Sequence, residues 1–211
     1  MLEIVDLVVE RDGHRVLAGV SLTVAAGERV SLHGPSGCGK TTLLHAIAGL
    51  VPVSHGHIII DNNDVTHSAP HLRGVGLVFQ DDRLFPHLDV ADNVSYSLRV
   101  QGVARRDRRK LAANWLERVG LAGYGNRQVD SLSGGESKRV ALARMLAAQP
   151  SVVLLDEPLS GLDEKLHDAL LNDLKGLFGS MNTTVVHVTH DRTEGARLCD
   201  RAEVWTRLVG A

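Results

Sequence analysis

The residues whose types and spacing point most directly to chemistry form a glycine-rich stretch at positions 34–42, which reads Gly-Pro-Ser-Gly-Cys-Gly-Lys-Thr-Thr. An apolar-alternating run at 28–33 precedes it and predicts a strand, and residues 43–48 predict the first turns of a buried helix. The pattern G-x-x-x-x-G-K-[ST] between a strand and a helix indicates a phosphate-binding loop. A glycine-rich turn without a ligand is the alternative, but the Lys-Thr pair and both flanking elements favour binding of a nucleoside triphosphate.

Each residue type in this stretch suits a phosphate ligand. Glycines let backbone N–H groups converge on an anion, and the helix N-terminus adds its partial positive charge. Lys40 can reach the β- and γ-phosphate oxygens, and the Thr41 hydroxyl can ligate Mg²⁺. The residues predicted to hold the triphosphate are Gly34, Pro35, Ser36, Gly37, Cys38, Gly39, Lys40, Thr41 and Thr42.

A pair of carboxylates forms the second chemical element. The apolar run at 152–155 predicts a buried strand, and Asp156 and Glu157 follow it directly. Ligands of α/β proteins bind at the carboxyl ends of strands, so Asp156 can hold Mg²⁺, directly or through water. Glu157 points elsewhere and can reach a water in line with the γ-phosphate. Two acids that merely end a strand are the alternative, which the preceding phosphate loop makes the weaker interpretation.

The elements that must position these residues alternate along the chain. Short apolar runs predict strands at 2–9, 16–24, 56–61, 75–79, 184–188 and 202–205, with a turn at Asp12-Gly13. From about 90 to 146 the pattern is helical, with one apolar face made by Leu111, Trp115, Leu116 and Val119. Residues 164–178 and 191–198 predict further helices. Strand–helix alternation on both sides of a helical insert implies a mostly parallel α/β core.

The composition of the 211 residues is that of an ordinary globular protein, with 44% hydrophobic and 23% charged residues. Aromatic residues make up only 3%, which predicts an aliphatic core. A net charge of −2 gives no electrostatic case for nucleic acid as the main partner. The basic run at 105–110 reads as a solvated helix face. The two cysteines, Cys38 and Cys199, favour a reducing compartment, and no signal segment or membrane span is expected.

A third motif carries a family resemblance. Residues 131–144, Ser-Leu-Ser-Gly-Gly-Glu-Ser-Lys-Arg-Val-Ala-Leu-Ala-Arg, resemble the LSGGQ signature of ATP-binding cassette (ABC) ATPases together with its following helix. Gln80 looks like the Q-loop residue, Asp163 like the D-loop aspartate and His190 like the switch histidine. The resemblance runs from about residue 2 to 205. By these motifs the chain is identified as a member of the ABC ATPases.

This resemblance implies a fold and a domain organisation. The expected fold is a P-loop NTPase (RecA-like) α/β core with a mostly parallel sheet, an N-terminal antiparallel β subdomain and an inserted α-helical subdomain. We expect a single ABC ATPase domain over 1–211. Its β subdomain and nucleotide-binding core would occupy about 1–80 and 147–211, and its helical signature subdomain about 85–146.

The resemblance also implies roles for the site residues, with ATP and Mg²⁺ as ligands. Thr41, Gln80 and Asp156 would organise Mg²⁺, and Gln80 would also sense the neighbouring subunit. Glu157 would polarise the attacking water, His190 would contact the γ-phosphate, and Lys40 would bind the triphosphate. Two copies would bind head to tail, and each would close on the other's nucleotide with Ser133, Gly134 and Gly135, while Asp163 would lie across the seam. Ser133 at a helix start with Glu136 three residues on also reads as a simple capping box.

The sequence departs from the family pattern at the adenine. The position that usually carries an aromatic residue stacked on the base falls near Arg11 or Asp12, and no aromatic residue precedes Phe79. Our hypothesis is that Arg11, or else His14, lays its planar group on the base; the alternative is a solvent-facing Arg11. Glu136 stands where Gln is commoner in the signature. Because few residues follow the last predicted strand, the regulatory domain of many importer ATPases is not expected within these 211 residues.

The segment that follows Gln80 indicates transport. Phe85-Pro86-His87-Leu88 resembles the thiamine-, polyamine- and iron-type bacterial importers, in which this segment meets the membrane subunit. The expected partners are transmembrane permease subunits, a second copy of the chain and, for an importer, a substrate-binding protein, which places the chain at the cytoplasmic face of the cell membrane. The alternative is a soluble ABC ATPase that moves no solute, as in DNA repair, ribosome work or iron–sulfur assembly. Histidines 55, 57, 67 and 71 are expected at the surface rather than at a metal.

Overall fold

A computed structural model describes residues 1–181 and 183–208 of the chain. The chain divides into two compact units, the first made of Met1–Leu77, Ser151–Glu157 and the residues from Phe178 onward, the second of Val78–Pro150 and Pro158–Leu177. The strands are β1 Leu2–Arg11, β2 His14–Val24, β3 Arg29–His33, β4 His55–Ile60, β5 Asn63–Asp64, β6 Val75–Val78, β7 Val152–Asp156, β8 Thr184–Val188 and β9 Arg201–Val204. The helices are α1 Lys40–Ala48, α2 Val90–Val94, α3 Tyr96–Val100, α4 Arg105–Arg118, α5 Gly134–Ala147, α6 Glu164–Ser180, α7 Arg192–Leu198 and α8 Trp205–Leu208.

An antiparallel sheet with the order β2-β1-β4-β5 forms one layer of the first unit. β1 pairs with β2 from Leu2↔Val24 to Arg11↔His14, and the predicted turn at Asp12-Gly13 closes this hairpin. Both turn residues have positive φ, 52° and 77°, as a tight hairpin turn requires. The opposite edge of β1 pairs with β4. This sheet confirms the predicted N-terminal antiparallel subdomain.

A second sheet has the order β6-β7-β8-β3-β9, in which β7, β8, β3 and β9 pair in parallel. Every residue of β7 and β8 is buried, which is typical of central strands covered on both faces. The carboxyl ends of β3, β7 and β8 therefore share one edge, where His33, Asp156 and Val188 lead into the segments that carry the predicted chemistry. The sheet confirms the expected parallel α/β core.

The core of the first unit is aliphatic, as the composition predicts. Leu, Ile and Val side chains from both sheets pack with the buried face of α1 into one cluster, and Trp205 is its aromatic member. We predicted a strand at 202–205; instead the strand ends at Val204, and Trp205 begins α8. The Trp205 side chain is 6% exposed, so burial of its ring against the unit replaces continued strand pairing at this point.

The second unit is built from helices. Trp115, Leu116 and Val119 are buried, as the predicted apolar face of α4 requires, but Leu111 is 42% exposed. The prediction for the basic run at 105–110 was wrong for two residues. Arg108 is buried and donates to Asp92, and Arg109 donates to Asp89, because two carboxylates of the α2 segment face this side of α4. The helix therefore packs through ion pairs where the one-dimensional pattern predicts solvent.

The expected surface position of four histidines is confirmed. Histidines 55, 57, 67 and 71 are all exposed. His55 lies beside Asp6 and His57 beside Asp64, so neighbouring carboxylates account for these two side chains. Cys38 and Cys199 are both free thiols. Within residues 1–181 and 183–208, each helix is too short or too polar to cross a bilayer.

Candidate functional site

The loop between β3 and α1 wraps around a glycine-dependent turn. Gly37 and Gly39 have φ values of 76° and 107°, in the region that L side chains rarely adopt. A Cβ on Gly39 would lie 2.8 Å from Leu17 Cδ2 and 3.1 Å from the Val16 carbonyl oxygen, so any side chain would force the loop off β2. A Cβ on Gly37 would meet nothing within 4 Å, which leaves space in front of the backbone for a ligand.

Lys40 sits at the start of α1 and reaches back into this loop. Its Nζ donates to the Gly34 and Pro35 carbonyl oxygens at 2.8 Å each and lies 3.6 Å from Cys38 Sγ. The residue is only 8% exposed. The loop is thus already curled around a buried ammonium group, next to the N-terminus of α1. Both features favour an anion at this position.

Thr41 and Asp156 bring two oxygen donors together. The Thr41 hydroxyl donates to Asp156 Oδ1 at 3.1 Å, which joins the first turn of α1 to the carboxyl end of β7. Burial raises the pKa of Asp156, and the Thr41 hydrogen bond partly offsets that rise. A buried carboxylate with a raised pKa gains from a nearby cation. Because Mg²⁺ prefers hard oxygen ligands and is commonly held by one or two side chains plus phosphates, these residues fit it.

Glu157 follows Asp156 with an uncommon backbone conformation. Its φ is 47°, a value that costs free energy for any residue with a side chain, and its N–H donates to the Val188 carbonyl oxygen at 3.0 Å. The next predicted residue, His190, lies just beyond β8. Its Nδ1 is 3.5 Å from Glu157 Oε1, and its side chain is 73% exposed against 28% for Glu157.

Lys40, Thr41, Glu157 and His190 open onto one cavity of about 230 Å³ in the first unit, whereas Asp156 does not line it. Its lining consists of Val16, Gly34, Ser36, Gly37, Gly39, Lys40, Thr41, Thr42, Glu157, Val188 and His190. Loop glycines, one lysine, one carboxylate and one imidazole thus face the same space. Such a volume matches a polyphosphate group held by backbone N–H groups and a cation. Of the predicted loop residues, Pro35 and Cys38 do not line it.

Arg11 and His14 flank the turn of the β1–β2 hairpin and are paired in its register. The Arg11 side chain is 82% exposed, and its Nε is 3.9 Å from Asp12 Oδ2. An exposed guanidinium suits both sequence-based alternatives, a planar support for a base and a solvated side chain. Its contact with a nucleotide stays a prediction.

Ser133, Gly134 and Gly135 belong to the second unit and open α5. Ser133 Oγ accepts from the Glu136 N–H at 3.3 Å, and Glu136 Oε2 accepts from the Ser133 N–H at 2.8 Å, so the capping box predicted at this helix start is formed. The Tyr124 hydroxyl also donates to Glu136. These bonds, led by the Ser133 N–H, lower the pKa of Glu136 and give the residue a structural role that does not need the commoner Gln.

The signature glycines differ in what surrounds them. A Cβ on Gly134 would meet nothing within 4 Å, whereas one on Gly135 would lie 2.3 Å from Leu166 Cδ2. Gly134 is therefore open to a ligand, and Gly135 is required for the approach of α6. Gln80 and Asp163 lie in the same unit: the Gln80 carbonyl oxygen accepts from Lys138, and Asp163 Oδ1 accepts from the Leu166 N–H at the start of α6.

Trp205 supports the site, a role that was not predicted from the sequence. Trp205 lies beneath the phosphate loop, where a Cβ on Gly34 would be 2.7 Å from Trp205 Cβ and a Cβ on Gly39 would be 3.2 Å from its Cζ2. The ring therefore supports both ends of the loop. A tryptophan in a chain with 3% aromatic residues was a signal, but its partner lies far away in sequence.

The chain is similar to known proteins in both sequence and fold. The profile of the family described as "ABC transporter" matches residues 17–160. The chain is 47% identical over 192 residues to "Fe(3+) ions import ATP-binding protein FbpC" of Streptomyces avermitilis, covering 91% of this chain and 56% of that protein. It is 45% identical over 181 residues to "Spermidine/putrescine import ATP-binding protein PotA" of Bacteroides fragilis, covering 86% and 39%. The chain spans about half the length of the curated relatives it matches.

A solved structure gives the same picture of the fold. The dimeric post-hydrolysis state of the ATP-binding cassette MJ0796 bound to ADP and Pi superposes with a TM-score of 0.84. It is 32% identical in sequence, and the match covers 97% of this chain and 94% of that one. This likeness confirms the predicted P-loop NTPase fold.

Proposed function

The chain belongs to the ABC transporter family, and from this membership and its nucleotide cavity we propose that it binds and hydrolyses ATP as the energy-coupling subunit of a membrane importer. The observation that carries the proposal is the grouping of Lys40, Thr41, Glu157 and His190 around one cavity. A lysine and glycine backbone suit a triphosphate, whereas an adjacent carboxylate suits a water molecule that attacks it. A loop that only binds an anion would not need that carboxylate.

The residues take separate roles in this proposal. The phosphate loop and Lys40 would hold the triphosphate, and Thr41 and Asp156 would hold Mg²⁺; for Gln80, in the second unit, a role toward the same ion is implied by the family motif. When bound, the metal ion supplies charge that stabilises the phosphoryl oxygens. Glu157 would orient and deprotonate the attacking water, and its backbone is fixed by the positive φ and by the hydrogen bond from its N–H to the Val188 carbonyl oxygen. His190 carries a hydrogen-bonding imidazole to the γ-phosphate side of the cavity.

The complete site is shared between two copies in this proposal. Ser133, Gly134 and Gly135 offer a hydroxyl, bare backbone N–H groups and the positive end of α5, which together suit the γ-phosphate of a partner's nucleotide. Asp163 lies at the subunit seam. The MJ0796 cassette is dimeric in two solved structures, which supports an ATP-dependent homodimer here. Removal of the terminal phosphate would then release the pair.

Transport is favoured over a soluble ABC ATPase by the relatives, which are named import ATP-binding proteins. The segment at 85–88 supports a permease contact, because it is a defined surface rather than a loose loop. The Phe85 ring packs against the Tyr96 ring in a tilted contact, and the Asn93 side chain forms hydrogen bonds with the backbone of Phe85 and Leu88. We place the chain at the cytoplasmic face of the membrane through permease subunits, with a substrate-binding protein as a further partner. We propose a substrate of the kinds for which these relatives are named, Fe(3+) ions or spermidine/putrescine.

Substitution Glu157→Gln tests the proposal. It keeps the volume and polarity of the side chain but removes the base, so ATP hydrolysis should slow by about 10²–10⁴-fold while ATP binding persists. Steady-state ATPase assays with Mg²⁺, paired with fluorescent-nucleotide titration, measure the two quantities. Glu117→Gln, the same change at an exposed position of α4, is the matched control and should retain wild-type activity. Hydrolysis by Glu157→Gln at the wild-type rate would contradict the assignment.

A further inference from the structure

The loop that carries His190 is fastened on both sides. Thr189 Oγ1 accepts from the Asp191 N–H at 3.0 Å, which closes the loop across His190. Asp191 Oδ1 accepts from the Thr193 and Glu194 N–H groups at 2.7 and 3.3 Å and so caps α7. His190 itself is 73% exposed at its side chain. Its position beside Glu157 therefore depends on how firmly residues 189 and 191 are held.

Glu194 is the buried group behind this loop. It is 5% exposed, and its Oε2 accepts from the Thr189 hydroxyl at 3.2 Å. Its Oε1 lies 2.7 Å from His187 Nε2. A buried carboxylate is costly unless it is paired, and here one oxygen faces the loop and the other faces the sheet. Glu194 thus links the backbone of the switch segment to the interior of β8.

His187 completes the link from inside the first unit. The residue is fully buried in β8, and its Nδ1 lies 3.9 Å from Cys199 Sγ. Burial raises the pKa of the Cys199 thiol to about 12, so the thiol keeps its proton at neutral pH. His187 thus lies between the Cys199 thiol on one side and the Glu194 carboxylate on the other.

We propose that Glu194 and His187 are positioning residues for ATP hydrolysis, which hold the 189–191 loop so that His190 stays beside Glu157. The inference rests on the proposed ATPase function. Neither side chain lines the nucleotide cavity, so neither touches the substrate. Their effect acts through the backbone of Thr189 and Asp191. A purely structural pair would stabilise α7 against the sheet without any dependence on His190.

A double-mutant cycle separates these two roles. Glu194→Ala should lower kcat about 10–100-fold, the range for outer partners of reactive groups, with little change in the KM for ATP. His190→Ala should lower kcat by at least as much. If Glu194 acts through His190, adding Glu194→Ala to His190→Ala should cause no further loss. Thr193→Ala, at an exposed position of the same helix, is the control and should match wild type.

Two further variants keep the test independent of folding. Glu194→Gln retains an acceptor for the Thr189 hydroxyl, so it should recover most of the kcat lost in Glu194→Ala. His187→Phe retains a ring of similar size in β8 while removing Nε2, and it should lower kcat less than Glu194→Ala does. Thermal melting confirms that each protein is folded at the assay temperature.

A readout without turnover completes the experiment. NMR spectra of the nucleotide-free protein with labelled histidine rings would show the His190 signals, identified among the 11 histidines by their loss in His190→Ala. Glu194→Ala should shift or broaden them, and Thr193→Ala should not. The inference would be overturned if Glu194→Ala lowered kcat equally in the wild type and in His190→Ala. It would also be overturned if Glu194→Ala left the His190 NMR signals unchanged. A wild-type chain that binds ATP but does not hydrolyse it would instead contradict the proposed function.

Discussion

Glu157 shows how backbone conformation and chemistry combine at one residue. Its φ of 47° lies in a region that costs on the order of 1–3 kcal/mol for a residue with a side chain, and such residues concentrate at functional sites. The hydrogen bond from its N–H to Val188 helps to hold that conformation. We infer that the packing of the surrounding strands offsets the free-energy cost of this conformation. The conformation in turn directs the Glu157 carboxylate into the cavity.

Arg11 is the residue for which a single substitution is most informative. If its guanidinium supports the adenine, Arg11→Ala should weaken ATP binding severalfold, because cation–π contacts at exposed sites contribute about 0.5–1 kcal/mol. Equilibrium titration with a fluorescent ATP analogue measures the change. Arg15→Ala is the matched control, since Arg15 is also exposed in this hairpin and donates to Glu10. Equal affinities for Arg11→Ala and wild type would show that Arg11 is merely solvated.

At the level of elements, a buried polar side chain can fix a segment whose structure the apolar pattern of the sequence does not predict. Asn93 is fully buried in α2, and its side chain bonds to backbone groups of Phe85, Leu88 and Asp89. A short helix with one amide therefore fixes the whole segment proposed to meet a permease. The ion pairs of Arg108 and Arg109 act in the same unit, because they hold α4 against the same helix.

Asn93→Ala should destabilise this segment. The change leaves partly buried backbone groups of Phe85, Leu88 and Asp89 without their partner, which costs roughly 1–3 kcal/mol. Urea unfolding followed by circular dichroism measures the free energy of unfolding. Asn114→Ala, at an exposed position of α4, is the control and should change it by less than about 0.5 kcal/mol. Matching unfolding curves for the two variants would refute the anchoring role of Asn93.

The β4–β5 hairpin carries a predicted pH dependence. Hydrogen bonds from the Thr66 hydroxyl, the Thr66 N–H and His57 lower the pKa of Asp64 from 3.8 to about 2. Because the folded pKa lies below the unfolded value, this carboxylate stabilises the fold fully above about pH 4, and its contribution is lost as the pH falls through about 2.

Asp64→Asn should therefore lower the melting temperature at pH 7, and its difference from wild type should shrink between about pH 4 and pH 2. Thermal scans at several pH values give the comparison. Asp12→Asn reports the effect of the same chemical change at an exposed turn, since the Asp12 side chain is 91% exposed. A gap between Asp64→Asn and wild type that stays constant down to pH 2 would rule out the ionised Asp64 as its source.

At the scale of the whole molecule, the proposed chemistry needs two copies. The cavity of the first unit carries the phosphate loop, Glu157 and His190, whereas the signature serine and glycines open a helix of the second unit. In the proposed function, this exposed helix start with its open Gly134 would bind the nucleotide that a partner presents. ATP would then act as the bridge between subunits, and its hydrolysis would act as the release.

Glu157→Gln should accordingly form a stable dimer in the presence of ATP and Mg²⁺. Sedimentation velocity measures the shift from monomer to dimer, with ADP as the nucleotide control. Adding Ser133→Tyr should abolish the dimer, because the ring would fill the space in front of the signature, whereas Ser54→Tyr at an exposed position of the first unit should not. Persistent monomer at saturating ATP would count against the shared site.

The local chemistry was predictable because it is written in contiguous residues. A phosphate loop, two acids after a strand and a capping box each depend on neighbours within a few positions, so the places of Lys40, Asp156 and Ser133 in the fold could be predicted from the pattern, while their roles stay predictions. Periodicity predicted the alternation of strands and helices, and the structure confirms the fold that this alternation implies. The family motifs then named the roles of Gln80 and His190.

Tertiary structure decided what depends on partners distant in sequence. Periodicity placed Leu111 inside and the basic run outside, yet Leu111 is exposed and Arg108 is buried against Asp92, because the partner of each face is another helix. Trp205 under the phosphate loop and the Glu194–His187 pair behind His190 likewise meet their targets only in the folded chain. Burial and pairing energies arise from three-dimensional neighbours, which one-dimensional spacing does not contain.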